Sequence, residues 1–337
     1  MKLSEIGEFG LIQRFSAPFV KNLPPGTRGI GDDCAILPWK KDSALLVTTD
    51  MLVENVHFLR AGILPEDLGW KSLAVNLSDI AAMGGNPHSA FLSLGLPLDI
   101  AVGWIDRFFK GLRGLAAKEK VRLLGGDTTR SEEAVIINVA VLGSVDRRRA
   151  KLRSAARPGD AVCVTGCLGD SAAGLKIILA GHPAATDETR LTRRPNRPRP
   201  HLAEGAWLAR QKGVRAMMDV SDGIDSDIRR IMESSRCGAA IDIGLLPLSA
   251  ELRRVSKKFG WKAASLAASG GEDYCLLLTI DPSGLHAVRE GFSRTFGRPL
   301  HVIGHILPRA QGLVYTEGGK AARLQARGYD HFARTGK

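Results

Sequence analysis

Aspartates in glycine- or serine-flanked turns are the residues of this chain best suited to chemistry. Most of these turns follow apolar stretches, and the segments are GIGDDCA (29–35), VTTDMLVENVHF (47–58), NLSDIAAMGG (76–85), LLGGDTTRS (123–131) and MDVSDGIDSD (218–227). Glycine lets a loop backbone approach a ligand closely. Converging carboxylates would form a set of hard oxygen ligands that suits Mg²⁺, and Mg²⁺ usually accompanies phosphates. The pattern therefore predicts a nucleotide-dependent enzyme of phosphoryl transfer.

Each turn taken alone has a simpler interpretation, because an aspartate after a strand is most often a turn residue or a helix cap. That interpretation predicts Asn and Ser at the tips about as often as Asp, so it explains five acidic tips together poorly. Asp32 and Asp33 are neighbours, so we expect one to bind metal while the other bonds locally. Asp79 lies near the end of a predicted helix, where the helix dipole disfavours a negative charge, and a cation partner is expected there.

Composition sets the broad class of the protein. A chain of 337 residues with 44% hydrophobic content is long enough for two domains with real cores. Its start, MKLSEIGEFG, has no apolar segment typical of a secretion signal, and no apolar run approaches the ~20 residues of a membrane helix. We therefore expect a cytoplasmic protein with no membrane partner. The five cysteines fit no zinc pattern and are interpreted as reduced thiols.

A net charge of +12 raises the alternative of a nucleic-acid binder. Much of the charge comes from RRRAKLRSAAR (147–157), with six basic residues, and RLTRRPNRPRP (190–200), with five arginines. Neither segment is interleaved with aromatic residues, which argues against a surface that stacks bases. A solvated linker or a phosphate-binding loop is the preferred interpretation, and no nucleic-acid partner is expected.

Strand and helix signals alternate in both halves, which predicts an α/β (or α+β) architecture. In the first half we predict strands at 44–52, 88–97, 121–126 and 134–145 and helices at 65–83 and 102–120. After a basic linker at 147–158, we predict strands at 160–166, 216–221, 239–246, 273–280 and 300–306 and helices at 170–180, 201–212 and 226–237. A charged, proline-rich loop is predicted at 181–200. The two domains are predicted to span residues 1–149 and 150–337, with the metal and ATP site and the dimer contact in the first.

The common phosphate-binding motifs are missing, since the sequence contains neither GxxxxGK[ST] nor the kinase set of Gly-rich loop, HRD and DFG. The nearest substitute is VTGCLGDSAAG (164–174), a strand, glycine turn and helix whose N-terminus could hold a phosphate. An ordinary turn capped by Asp170 and Ser171 explains this segment at least as well.

The same segments strongly resemble the thiamine-monophosphate kinase family of the aminoimidazole-ribonucleotide synthetase superfamily. The resemblance runs nearly end to end and includes GEFGLI, GIGDDCA, TTDMLVENVHF, NLSDIAAMGG, GGDTTRS, RSAARPGD, VTGCLGDSAAG, DVSDGIDSD, GGEDYCLLL and GYDHF. The glycine-aspartate motifs are shared across the superfamily, whereas VHF, GGEDY and GYDHF are typical of the kinase. The family's fold has two α/β domains, each a mixed sheet covered by helices, and its members are homodimers formed through the N-terminal domains.

The resemblance also implies the site. It implies that Mg²⁺ ions are held by Asp33, Thr48, Thr49, Asp50, Asp79, Asp127, Asp219 and Asp222. ATP contacts are implied for Gly126, Asp127, Arg153 and Ser221, and thiamine-phosphate contacts for His57, Glu272 and Tyr329. The family makes thiamine diphosphate, the end product of the pathway, by in-line transfer from ATP, and no residue is assigned as a covalent catalyst.

The chain departs from the family pattern at three positions, and related families offer rival assignments. Asn55 stands where the family often has Gly, and Cys275 stands where it often has Glu. Lys118 or Glu119 replaces an aromatic residue that often lies near the ATP site. Selenophosphate synthetase is disfavoured because no Cys lies in an early glycine-rich loop. A hydrogenase-maturation dehydratase is disfavoured by the tail GYDHFARTGK, which has no terminal Cys, and aminoimidazole-ribonucleotide synthetase by VHF and GGEDY.

Overall fold

The first half of the chain forms a five-stranded sheet with helices on one face. The computed structural model describes residues 3–16, 19, 23–181 and 185–324. The strands of this half are β1 (Ala35–Lys40), β2 (Ser43–Val53), β3 (Asn86–Leu96), β4 (Arg122–Arg130) and β5 (Ile136–Asp146), and its helices are α1 (Leu3–Ser16), α2 (Pro65–Ala82) and α3 (Val102–Lys118). The strand order is β1-β2-β5-β3-β4, and the β3–β4 pair alone is parallel.

The second half forms a seven-stranded sheet. Its strands are β6 (Ala161–Val164), β7 (Val214–Asp219), β8 (Gly238–Asp242), β9 (Leu276–Ile280), β10 (His301–Leu307), β11 (Leu313–Glu317) and β12 (Lys320–Ala322). Its helices are α4 (Asp170–Ala180), α5 (Thr186–Asn196), α6 (Leu202–Ala209), α7 (Ile224–Ser235), α8 (Ala250–Phe259), α9 (Ala263–Ser269) and α10 (Pro282–Phe296). The order is β12-β11-β8-β10-β6-β9-β7. The predicted architecture of two mixed sheets covered by helices is confirmed, and the predicted domain division at 149/150 falls between the two sheets and stays a prediction.

Helix α2 connects the two halves. It begins at Pro65, whose missing N–H costs nothing in a first turn, and Gly84 follows it with a φ of 71°. Fourteen of its 18 residues are buried, so the helix is enclosed on nearly all sides. Accordingly α2 packs on β2 and β5 of its own sheet, on α3, and on α6 and β7 of the other half. Polar side chains in the buried part of this helix, such as Lys71 and Ser78, therefore make their contacts at the junction between the halves.

Two glycines let α2 and α3 approach each other closely. A Cβ atom at Gly69 would lie 1.9 Å from the Phe108 carbonyl oxygen, and one at Gly111 would lie 1.7 Å from the Glu66 carbonyl oxygen. Both distances are far inside van der Waals contact, so any larger residue would separate the helices. In the predicted 102–120 helix, Gly111 is thus a packing position rather than a helix breaker.

The prediction of a loop at 181–200 is wrong for most of its length, because α5 occupies Thr186–Asn196. The Glu188 carboxylate accepts a hydrogen bond from the Ala185 N–H at 3.1 Å, which caps the first turn. Leu191 is buried against the neighbouring helices. A single buried leucine among charged residues is a weak helical pattern, which is why the composition indicated a loop.

Four of the five arginines of the second basic segment pair with acidic residues of the same chain. Arg197 pairs with Asp67 at 2.7 Å and stacks over the Trp70 ring at 4.1 Å, so this segment packs on α2. The other pairs are Arg190–Glu251, Arg194–Asp170 and Arg199–Glu204. The segment is therefore not the solvated linker that its charge suggested.

In the described part of the chain, no helix has the length and apolar character needed to cross a membrane.

Candidate active site

Three carboxylates from distant parts of the chain meet where the two halves join. Asp33 precedes β1, Asp79 lies in the last turn of α2, and Asp219 ends β7. One carboxylate oxygen of each lies within 4.8 Å of the other two. Asp33 and Asp219 are only 8% and 3% exposed, so water screens their charges poorly. The fold thus brings together three of the eight residues predicted to bind metal; these three we call the carboxylate cluster.

Neighbouring polar side chains hold the carboxylate cluster in place. The Thr48 hydroxyl donates to Asp79, and the Ser78 hydroxyl donates to Asp219 at 2.6 Å across the junction. Alternation along β2 puts Asp50 on the same face as Thr48. Thr49 has the opposite orientation, and its hydroxyl accepts a hydrogen bond from the Asn138 amide at 3.0 Å. The hydroxyl of Thr49 therefore does not reach the cluster.

Arg153 supplies a positive charge to the carboxylate cluster. Its Nη2 and Nε atoms donate to the two oxygens of Asp33 at 2.7 and 3.3 Å. Its backbone N–H donates to Asp32 at 2.8 Å, so Asp32 is bonded to a residue 121 positions away rather than locally. The expected division of roles between Asp32 and Asp33 stays a prediction. Arg153, predicted to contact ATP, lies in a 3-10 turn of the segment interpreted as a linker and is paired with a predicted metal ligand.

Burial and mutual repulsion make these acids hard to ionise. Burial, followed by repulsion from Asp222 and Asp33, raises the pKa of Asp50 to about 6. Burial, followed by repulsion from Asp33, raises the pKa of Asp219 to about 8, although Ser78 and Arg153 oppose the shift. The pKa of Asp79 is also raised, mainly by burial. Carboxylates arranged in this way call for a bound cation to balance their charge.

These shifts predict how the metal-free protein responds to pH. Asp219 has a folded-state pKa of about 8 against an ordinary 3.8, so between these values the folded protein holds a proton that the unfolded chain has released. Stability should therefore fall as pH rises through this window. The D219N variant cannot titrate at this position. Its melting temperature minus that of the wild type should therefore increase as pH rises from about 5 to about 8.5. Added Mg²⁺ should reduce the difference, and parallel curves in chelator would contradict the assignment of Asp219.

Two of the three residues predicted to contact thiamine phosphate are joined by a lysine. The buried Lys71 ammonium lies 2.6 Å from Glu272 Oε1 and donates to the His57 carbonyl oxygen at 3.2 Å. The His57 Nδ1 atom accepts a hydrogen bond from the Val53 N–H at 3.0 Å, which leaves the ring proton on Nε2 when the ring is neutral. The third predicted residue, Tyr329, lies outside the described residues.

Backbone conformation accounts for one departure from the family pattern. Asn55 has a φ of 64°, in the left-handed region that glycine occupies without strain. Asparagine tolerates this region better than most other residues. The tight turn before His57 therefore accepts Asn in place of Gly.

The second departure, Cys275, is a buried core residue next to β9. Its carbonyl oxygen accepts a hydrogen bond from the Val220 N–H at 2.8 Å.

The predicted nucleotide residues lie in two places. Gly126 and Asp127 belong to β4, an exposed edge strand, and they line a cavity of about 510 Å³ together with Phe109. Asp50 on β2 pairs with Val139 on β5, Val139 pairs with Leu92 on β3, and Leu92 pairs with Gly126 on β4. Three ordinary strand spacings therefore separate Gly126 from Asp50, a distance of roughly 14 Å. Ser221 and Asp222 follow β7, next to Asp219, and the Ser221 carbonyl oxygen accepts the Glu272 N–H at 2.8 Å. An extended nucleoside triphosphate can span the distance between the cavity and the cluster.

The alternative phosphate site at the start of α4 is filled by the protein itself. The Asp273 carboxylate accepts hydrogen bonds from the Gly169 and Ser171 N–H groups at 2.6 and 3.2 Å. Burial raises the pKa of Asp273 to about 7 despite these two bonds. The helix N-terminus is therefore capped by a distant residue, and neither Asp170 nor a phosphate is required there.

Several polar residues at the junction had no role in the sequence predictions. Asn76 accepts the Asp50 N–H at 3.0 Å. Asp227 is 1% exposed with its Oδ2 atom unpartnered, and burial followed by repulsion from Asp222 raises its pKa. Lys71 and Ser78 are further polar residues at the junction that had no predicted role. For Lys71, Asn76 and Ser78 the available signal was their polar character among the apolar residues of α2. Their partners lie on other elements and are not visible in the local pattern.

Two family models match the chain. The one described as AIR synthase related protein, N-terminal domain, matches residues 31–145, and the one described as AIR synthase related protein, C-terminal domain, matches residues 157–315. The two mixed sheets and the carboxylates at their junction thus define a protein of the AIR synthase related class.

Relatives within this class specify the family. The chain is 39% identical to the thiamine-monophosphate kinase of Escherichia coli (strain K12), over 97% of this chain and 98% of that protein. It is 33% identical to the thiamine-monophosphate kinase of Bacillus subtilis (strain 168), over 90% of this chain and 93% of that protein. The structure of AaThiL complexed with AMPPCP and TMP matches with a TM-score of 0.85 and 34% identity, covering 98% of this chain and 99% of that one. The chain belongs to the thiamine-monophosphate kinase family, as the resemblance predicted.

Proposed function

We propose that this protein transfers the γ-phosphoryl group of ATP onto the phosphate of thiamine monophosphate, which gives thiamine diphosphate and ADP. It is a kinase whose acceptor is itself a phosphate group, and the reaction completes thiamine diphosphate synthesis. The carboxylate cluster carries the proposal, because it lies in a chain that matches thiamine-monophosphate kinases over nearly its whole length. The AaThiL structure that the chain matches is complexed with AMPPCP and TMP.

Several Mg²⁺ ions fit the chemistry of the cluster. Carboxylate oxygens are preferred ligands of this ion, and the buried charges of Asp33, Asp79 and Asp219 need compensation. The residues whose side chains would hold the ions are Asp33, Thr48, Asp50, Asp79, Asp127, Asp219 and Asp222. The Thr49 hydroxyl, which faces away from the cluster, is left out of this set. When bound, Mg²⁺ neutralises the phosphate charges and keeps two mutually repelling polyanions together.

The residues of the chain bind and orient the substrates. The planar guanidinium of Arg153 suits a phosphate oxygen. Ser221 would contact the nucleotide close to the cluster, and Asp127 would contact it at the β4 cavity. Gly126 lines the cavity on β4, and its missing Cβ lets β4 lie close to β3. The acceptor phosphate is largely ionised near neutral pH, since the second pKa of a phosphate ester is about 6. No side chain has to remove a proton, and none is assigned as a catalytic base.

The acceptor pocket is assigned to His57, Glu272 and Tyr329. Lys71 brings the backbone of the first and the carboxylate of the second to within reach of one ammonium group, which supports a shared pocket. The carboxylate of Glu272 suits the cationic thiazolium ring, and an aromatic face such as that of Tyr329 suits it as well.

We further propose a homodimer formed by the face of the five-stranded sheet that no described helix covers. Helices cover the opposite face, whereas Met51 and Phe91 are 54% and 40% exposed on this one. Val47 and Leu142 pair on the same face beside them. Apolar sheet surface of this kind marks an association site. Light scattering should give twice the 36.2 kDa chain mass, and a mass of one chain at micromolar concentration would contradict the dimer.

A cytoplasmic location stays a prediction.

An acceptor competition tests the proposed function. The purified protein receives ATP labelled at the γ-phosphate with equal amounts of thiamine, thiamine monophosphate and thiamine diphosphate. We expect label in newly formed thiamine diphosphate alone, because the pocket has to hold a phosphate close to the metal-binding cluster. Label in thiamine monophosphate would show that free thiamine is the acceptor and would contradict the proposal.

A further inference from the structure

Lys71 is the largest fully buried side chain in the described part of the molecule, and its ammonium group lies at the junction between the halves. It is 2% exposed and projects from the middle of α2. Burying an ammonium group is costly unless it is paired and hydrogen-bonded. A lysine inside an apolar helix therefore indicates a specific use of its charge.

The two partners of Lys71 belong to different halves of the protein. The salt bridge to Glu272 Oε1, at 2.6 Å, reaches the loop before β9 in the second half. The hydrogen bond to the His57 carbonyl oxygen, at 3.2 Å, reaches the turn after β2 in the first half. The ammonium group thus fixes the distance between two segments that come from opposite sides of the junction.

The backbone around Glu272 is already fixed by other contacts. Glu272 has a φ of 64° in the left-handed region, its N–H donates to the Ser221 carbonyl oxygen at 2.8 Å, and its carbonyl oxygen accepts the Ser171 hydroxyl at 2.7 Å. Its side chain remains 27% exposed, so a ligand can still reach the carboxylate. With the backbone held by the second half, the remaining freedom of Glu272 is that of its side chain, which Lys71 removes.

We propose that Lys71 is a positioning residue that orients the Glu272 carboxylate against the His57 turn and thereby sets the affinity for thiamine monophosphate. The inference rests on the proposed function. Lys71 acts through Glu272 without touching the substrate, because it is buried behind the carboxylate. Its removal should weaken acceptor binding while leaving the nucleotide residues on β4 undisturbed.

The test measures the KM of each substrate for K71M and for a matched control. K258M also removes a lysine that lies 2.6 Å from a buried carboxylate, that of Glu188, but the pair lies on α5 and α8 away from both sites. For K71M we expect the KM for thiamine monophosphate to rise at least about tenfold and the KM for ATP to change less than about twofold. K258M should leave both values unchanged.

The same substitution in an E272Q background separates positioning from general damage. If Lys71 acts through Glu272, adding K71M to E272Q should change the KM for thiamine monophosphate by less than about twofold, because coupled residues are not additive. An unchanged KM in K71M, equal increases in both KM values, or additive effects in the double variant would overturn the inference. If K71M does not fold, K71Q keeps a hydrogen-bond donor at this position and is judged by the same criteria. Wild-type enzyme that forms no thiamine diphosphate would refute the proposed function instead.

Discussion

Replacing Asp50, Asp79 or Asp219 with asparagine is expected to reduce turnover by about 10³-fold or more, since charge neutralisation by bound metal supplies most of the transition-state stabilisation. Asparagine has nearly the volume of aspartate, so packing at the junction is retained while a charged ligand is lost. Each of these acids has a raised pKa because burial and its neighbours oppose its charge. Removing one charge should therefore maintain or increase the stability of the metal-free protein.

The measurement combines turnover at saturating Mg²⁺ with melting temperature in chelator. Asp106 is exposed on α3, and D106N serves as a matched control that should leave both unchanged. Inactive variants that melt at or above the wild-type temperature would support a metal-binding cluster. Near-wild-type turnover in all three variants would refute it, and inactivity that merely follows a large loss of stability would refute the charge argument.

Replacing Gly126 with alanine is expected to damage nucleotide binding more than global stability. Gly126 has a φ of 153°, and a Cβ atom there would lie 1.6 Å from the Leu92 carbonyl oxygen on β3. The contact is backbone against Cβ, so no rotamer change can relieve it. Because β4 is an edge strand, the clash can be relieved by moving β4 away from β3 without opening the core.

The expected result for G126A is an increase in the KM for ATP of at least about tenfold, with a smaller change in the KM for thiamine monophosphate. Gly114 is the matched control, because nothing lies within 4 Å of a Cβ atom there. G114A should keep wild-type kinetics and gain up to about 1 kcal/mol of stability, as expected for Gly-to-Ala in a helix. Unchanged ATP kinetics in a folded G126A would show that this strand does not hold the nucleotide.

The sequence predicted those elements whose signals are local. Helix α2 has an apolar pattern between Pro65 and Gly84, and the prediction of 65–83 differs from the observed helix by one residue. Helix α5 was missed because its burial depends on Leu191 and on charge pairs with distant acids, which composition does not reveal. Strand β4 was predicted too short, since its last residues, from Asp127 to Arg130, carry no apolar pattern and are exposed.

The three acids of the carboxylate cluster were among the predicted residues, but their arrangement was not predictable from the sequence. The acidic turns indicated carboxylate ligands, but only the packing of α2 between the sheets brings Asp33, Asp79 and Asp219 together. The side-chain alternation that separates Thr48 from Thr49 follows from β2 being a strand, yet the resemblance alone grouped the two residues. The cap supplied to α4 by Asp273 and the salt bridge from Lys71 to Glu272 join residues that are far apart in sequence. Pairings of that kind depend on tertiary structure.

The most direct test of the central claim is a metal-dependent product assay. Purified protein is incubated with ATP, Mg²⁺ and thiamine monophosphate, and thiamine diphosphate and ADP are separated and quantified, with each component omitted in turn and with chelator added. We predict equal amounts of the two products in the complete mixture and none when ATP, metal or acceptor is missing, because the clustered carboxylates need cations to bring two polyanions together. No thiamine diphosphate in the complete mixture, or undiminished formation in excess chelator, would contradict the account.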